Sequence, residues 1–270
     1  MRVSEWVAAG YFAYLCAVAL ILPPWPRRRR AAAAALAVTV AVCLPRLWPE
    51  STLTLVARDW LPGVYLVVGY WLSGWFFVAP MRNVETRFLG LDWRVLGRDT
   101  GSRLVESLPR AALELLELAY VTCFLFVPGG LLVLVLTGHR DAADRFWTLV
   151  LLSELGSFAM LPWIQTRPPR AFESAGAIDR RRLFMRRMNR LQVSAVSIGV
   201  NTFPSGHVAG SLATALSVSE VIPALAPWLL AVVAAIAIAA VLGRYHYFID
   251  AVTGALLTLI VWVLVRALWR

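Results

Sequence analysis

Eight separate apolar runs dominate this chain, at about residues 6–22, 31–47, 60–79, 111–136, 146–165, 205–221, 228–242 and 246–268. Crossing the hydrocarbon core of a bilayer takes about 20 apolar residues, and a soluble domain has no use for so many runs near that length. The chain is 60% hydrophobic with a mean hydropathy of +0.69. The fold class expected is all-α: a polytopic transmembrane helical bundle of about eight spans. It is read as one membrane domain over 1–270, with N-terminal spans and an interfacial loop over 1–110 and a helical core over 111–270. The first run has one arginine ahead of it and no small-x-small cleavage site, so it is expected to be a retained span. Pro62 is expected near the start of the third.

The net charge of +10 comes entirely from arginine, for the chain contains no lysine. In a membrane protein such a balance points to loops facing anionic lipid or the cytoplasm, not to nucleic acid. Cys16, Cys43 and Cys123 each fall inside an apolar run, which suits packing residues and not disulfides or metal ligands.

Two polar stretches stand where a turn runs into an apolar segment: Asn201-Thr202-Phe203-Pro204-Ser205-Gly206-His207 and Arg244-Tyr245-His246-Tyr247-Phe248-Ile249-Asp250. Pro204 disfavours helix at Phe203, so a helix is expected to begin at or just after Ser205. Its start offers free N–H groups to an anion, with Ser205 as cap, Gly206 allowing close approach and His207 in the first turn. In the second stretch His246 and Asp250 are four apart. On a helix they would share a face, and the carboxylate would orient the imidazole as a nucleophile or base. With eight spans both stretches emerge on one side of the membrane.

Other polar residues carry plainer expectations. His139 sits in a charged loop as a solvated residue. Residues 81–110, with apolar and arginine residues interleaved, suit a short amphipathic helix at the interface or an ordinary loop. The 166–203 connection holds Arg167, Arg170, Arg180, Arg181, Arg182, Arg186, Arg187 and Arg190 and no obvious structure of its own. Its Arg180–Arg190 part either anchors at the lipid surface or serves the site. Gly206, Gly210 and Thr214 have the small-xxx-small spacing of tight helix packing. Glu154 stands in mid-span, whereas Glu114 and Glu117 lie nearer an edge, within reach of Arg110.

Pro204-Ser205-Gly206-His207 followed by His246-x-x-x-Asp250 resembles the type 2 phosphatidic acid phosphatase superfamily over about residues 160–265. The resemblance implies a lipid phosphatase acting through a phosphohistidine, with His246 as nucleophile, Asp250 orienting it and His207 protonating the leaving group. It also implies phosphate contacts from Ser205 and Gly206, and from Arg167 with the Arg-Pro that ends the family's first motif. Met160 and Ala240 stand where the family has basic residues, so Arg244, Arg167 and Arg170 are the expected replacements, with Arg190 behind them. The implied substrate is a lipid phosphate ester, phosphatidate- or polyprenyl-phosphate-like, with no cofactor and no metal. The His246–Asp250 run and the Pro-rich Arg167–Arg170 stretch also resemble inositol phosphorylceramide and sphingomyelin synthases, which transfer head groups. A lipid transporter using Glu154, or an inactive scaffold, are the remaining readings. Outside the site loops, ten arginines lie on the site side and seven opposite. The positive-inside rule therefore favours a cytoplasmic site, whereas the resemblance favours the outer face.

Overall fold

The computed structural model describes residues 1–22, 25–97, 100–172, 178 and 181–269, with only the backbone for 100–102. Pro23, Pro24, Arg180, Arg270 and most of the 171–179 segment therefore lie outside the described residues. The described chain is helical, with no strand. Its helices are α1 (Val3–Ile21), α2 (Arg28–Cys43, continued by a 3-10 turn over Leu44–Leu47), α3 (Thr52–Gly74), α4 (Arg82–Leu96), α5 (Thr100–Ser107), α6 (Arg110–Leu136), α7 (Ala143–Ala159), α8 (Phe184–Val196), α9 (Gly206–Val221), α10 (Ala226–Leu242) and α11 (Phe248–Leu268).

Leaving out α4, α5 and α8, the eight remaining helices alternate in direction. At one end, Asp144 in the first turn of α7 accepts from Ser4 and Val3 of α1, and Asp59 of α3 accepts from Arg2 and Arg140. Glu5–Arg58, Arg145–Glu220 and Arg266–Glu220 lie at that same end. At the other end lie α4, α5, α8 and both motif stretches. Among the described residues, five helical segments are long and apolar enough to cross a membrane: α1, α2 with its 3-10 turn, α6, Pro223–Leu242 and α11. This makes the chain an integral membrane protein. The other three are shorter or more polar, and two of them, α7 and α9, have most of their residues buried in the bundle. Eight spans therefore remains an expectation.

Three boundaries differ from the sequence reading. The third helix starts at Thr52, not near Pro62, which sits in its interior. Ser51 and Thr54 form a reciprocal capping box, and Arg58 and Asp59, which look like a loop, are neutralised by Glu5, Arg2 and Arg140. The fifth stops at Ala159, ahead of Pro162, and not at Gln165. Third, the long arginine-rich connection contains α8. The Glu114 carboxylate accepts the N–H groups of Phe184 and Met185 at its start, each at 2.8 Å. A carboxylate at a helix N-terminus satisfies orphan donors and suits the dipole.

The small-residue stripe of α9 packs as its spacing implies. A Cβ on Gly206 would lie 2.6 Å from the Phe158 ring, and one on Gly210 would run into the Glu154 carboxyl. Thr214 faces Gly130 of α6, where a Cβ would strike its methyl group. Gly254 of α11 lies against the Ser205 backbone, with the carbonyl oxygen 2.6 Å from where a Cβ would be.

Candidate active site

Three short segments are stitched together by backbone hydrogen bonds at the site end of the bundle. Asn201 donates its N–H to the Thr166 carbonyl (2.9 Å), Arg170 to Arg244 (3.2 Å) and Ser205 to Asp250 (2.9 Å). The Tyr247 hydroxyl donates to the Arg167 carbonyl at 2.9 Å. Residues 35 to 80 positions apart in sequence are thereby held as one unit.

Each functional side chain follows from a local backbone device. Helix α9 begins at Gly206 with Ser205 as its N-cap, the buried Oγ accepting from the Val208 N–H at 3.4 Å. His207 stands in the first turn, its ring 5.4 Å from Tyr120 and 5.3 Å from Phe124. At the other side, α10 ends in a Schellman turn: Tyr245 N–H returns to Ala240 O (2.9 Å) and Arg244 N–H to Val241 O (3.1 Å). The left-handed position of that turn usually takes glycine; here Arg244 occupies it at φ 58°. The His246 N–H also donates to Ala240 O at 3.0 Å, which aims the imidazole inward.

His246 is not on the helix with Asp250, as its spacing suggested. Helix α11 starts at Phe248, so His246 lies in the turn before it. The pair forms nonetheless, because Asp250 reaches back over the helix start. Its Oδ2 accepts from the Tyr247 N–H at 2.9 Å and from His246 Nδ1 at 3.3 Å. His246 Nε2 lies 3.1 Å from His207 Nδ1. With Asp250 Oδ2 as acceptor, Nδ1 of His246 carries the proton and Nε2 its lone pair. His207 Nδ1 is then the donor between the two rings. A nucleophilic nitrogen and a proton-bearing nitrogen thus face each other in hydrogen-bond contact.

The arginines sort differently from the sequence reading. Arg167 grips Glu85 of α4 with two prongs, Nε–Oε1 at 3.1 Å and Nη2–Oε2 at 3.0 Å, and its N–H adds a third bond at 2.8 Å. Burial works against the Glu85 charge, but these bonds hold its carboxyl below the ordinary range. Arg244 pairs with Asp92 of the same helix at 2.8 Å. There burial prevails, raising the Asp92 carboxyl despite the Phe248 N–H and Arg244. Arg170 differs, making no ion pair with a carboxylate among the described residues. It donates to the Tyr245 carbonyl at 3.5 Å, and its guanidinium lies 5.4 Å from the Tyr245 ring centre. Its charge acts on both imidazoles. Burial, with the nearby Arg186 charge, pulls its pKa below the ordinary arginine value. An arriving anion would relieve both.

Arg186 was not singled out by the sequence, where it is one arginine among many. It is buried, bonded to Glu117 at 3.1 Å and to the Gly243 carbonyl at 2.8 Å. Glu117 therefore does not meet Arg110 at an edge; its carboxylate also takes Tyr245 Oη (2.8 Å) and Asn189 Nδ2 (2.6 Å). Glu114 alone approaches Arg110, at 3.6 Å. Tyr245 stacks on Tyr120 at 3.7 Å. The buried methyl of Ala240 lies in that cluster, so the position offers no basic group to the site. Arg181 binds the Glu106 and Leu108 carbonyls away from the histidines.

Below His207 a cavity of ≈ 770 Å³ opens between α3, α6, α7, α8 and α9. Its wall is mostly apolar, with Val67, Trp71, Phe124 and Phe158 along it and Thr202 and His207 at the site end. Val64, Val67 and Trp71 of α3 and Phe124 of α6 line the cavity and remain exposed. No signal in the linear sequence marks this space, since its wall is assembled from five helices spread from α3 to α9.

Comparison with known proteins bears on the same residues. No curated protein and no solved structure matches the chain. A family model described as PAP2 superfamily, a group of phosphatases and phosphotransferases, matches residues 86–264, from α4 into α11. It takes in both histidines, Asp250 and the arginines around them, and the chain belongs to the PAP2 superfamily.

Proposed function

We propose that this protein hydrolyses a lipid phosphate ester through a phosphohistidine on His246. The observation that carries this reading is the facing pair, His246 Nε2 backed by Asp250 and His207 Nδ1 at 3.1 Å, at the head of an apolar cavity. The phosphoryl group enters between the two rings, which part and give up their 3.1 Å hydrogen bond to admit it. Nε2 forms a bond to phosphorus as the bond to the lipid oxygen breaks, and His207, protonated on both nitrogens beside the bound anion, gives its Nδ1 proton to that oxygen and is left a neutral imidazole. Water, deprotonated by His207, then attacks the phosphohistidine; phosphate leaves and both rings return to their starting state. The alcohol faces His207 throughout, and its chain runs into the cavity below. Arg170 and the first N–H groups of α9 meet the charge on the equatorial oxygens. Fixed donors in a site shielded from water are a main source of rate in phosphoryl transfer.

The chemistry asks for no metal, because cationic side chains and imidazoles do the work. Purified full-length protein is expected to release phosphate from detergent-dispersed lipid phosphate with EDTA present; no release under those conditions overturns the reading. Arg170→Lys is expected to lower kcat/KM by about 10²-fold, since lysine cannot give the planar two-pronged contact. Arg244→Lys, whose partner is Asp92, should cost less.

The arginine balance supports a cytoplasmic site. Thr86, exposed on α4, reports on this face. In a variant with the three native cysteines replaced, Thr86→Cys should react with a membrane-impermeant thiol reagent only after cells are permeabilised. Labelling of intact cells would assign the site to the outer face.

A further inference from the structure

One buried carboxylate beside the site takes no part in the chemistry above. Glu117 of α6 is 2% exposed, and both its oxygens are engaged. Oε1 accepts from Arg186 at 3.1 Å, and Oε2 accepts from the Tyr245 hydroxyl at 2.8 Å and from Asn189 at 2.6 Å. A buried ion pair by itself adds little net stability, because desolvation offsets the attraction. What sets this one apart is where its donors lead.

Two of the three lead to the turn that carries His246. Tyr245 directly precedes His246, and Arg186 gives a second bond to the Gly243 carbonyl at 2.8 Å. That turn holds Arg244 at φ 58°, a conformation that a non-glycine residue keeps only where its surroundings impose it. The turn folds around Tyr245, since a Cβ at Gly243 would run into its ring. The same residue reaches the other groups of the site. Its ring stacks at 3.7 Å on Tyr120, which lies 5.4 Å from the His207 ring. Its carbonyl accepts from Arg170 at 3.5 Å. Fixing Tyr245 therefore fixes the surroundings of both histidines and of Arg170 at once. A misplacement of about 1 Å, even one caused away from the reacting atoms, can slow a reaction about 10²-fold.

We infer that Glu117 is a positioning residue for phosphoryl transfer. It touches no reacting atom. It anchors the Tyr245 hydroxyl directly and the Gly243 carbonyl through Arg186, and so keeps His246 Nε2 aimed at phosphorus. This inference rests on the phosphatase reading above.

The test is single-turnover cleavage of octadecyl phosphate by an excess of full-length protein in detergent. At saturating protein the rate constant does not depend on the fraction of molecules folded, so lost stability alone leaves it unchanged. Tyr245→Phe removes only the hydroxyl and keeps the ring on Tyr120; it is expected to lower the rate constant about 10–10²-fold. Glu117→Gln, of the same shape, should cost at least as much. The double variant should be no slower than Glu117→Gln, since both changes break one contact. 4-Nitrophenyl phosphate should show the same loss, because His246 attacks it too. An unchanged rate constant in Tyr245→Phe overturns the inference, as do losses that multiply in the double variant. So does a loss confined to octadecyl phosphate, which would assign the contact to His207. These outcomes leave the phosphatase reading standing, whereas no cleavage by the unmutated protein overturns both.

Discussion

The His246→Ala variant is expected to lose at least about 10⁴-fold in turnover on every substrate, because no other group can form the bond to phosphorus. Its Nε2 is the one imidazole nitrogen with a lone pair directed at the facing ring, and Asp250 holds it so. Brief reaction of the unmutated protein with ³²P-labelled lipid phosphate, quenched in base, should leave label that is acid-labile and maps to His246. Near-normal turnover by the alanine variant, or label on another residue, would remove His246 from the role. Loss of folding is a distinct outcome, and thermal unfolding in detergent distinguishes it. The side chain is buried in the turn after α10, but the hydrogen bonds that shape this turn are backbone bonds, which alanine keeps.

The second large effect depends on the leaving group. His207→Ala is expected to slow hydrolysis of an alkyl lipid phosphate by about 10²–10⁴-fold, the usual contribution of a positioned general acid. The same variant should lose far less on 4-nitrophenyl phosphate, whose departing oxygen needs no proton at neutral pH. A substrate-dependent loss of this kind cannot come from binding alone. Equal losses on both substrates would assign His207 to phosphate binding and would require another donor for the lipid oxygen.

Part of this site was legible in the residue order, and the reason is that it depends on local backbone rules. Pro204 before Ser205 defines a helix start, and Ser205 caps it in the structure. A histidine four residues from an aspartate finds it even though the helix begins two residues later than expected, since a carboxylate at the third helical position reaches back over the N-terminus. The tight packing of α9 likewise follows from Gly206, Gly210 and Thr214.

The arginine grip was not legible. Arg167, Arg170 and Arg244 look equivalent as letters, and which of them is engaged by a carboxylate depends on where α4 lies. That helix brings Glu85 and Asp92 to two of them and leaves Arg170 beside the histidines. Arg186 is similar: among neighbouring arginines, only the packing of α8 against α6 selects it for Glu117.

Hydropathy and helix-start chemistry by themselves determined that the chain is a membrane helical bundle with two histidines at helix starts on one face. Both act over a few residues and need no knowledge of neighbours. Tertiary structure alone decided which charges pair, that the imidazoles meet nitrogen to nitrogen, and that an apolar cavity lies beneath them. Those features depend on distances between helices far apart in the chain, and an ion pair or a cavity has no meaning until the helices are packed.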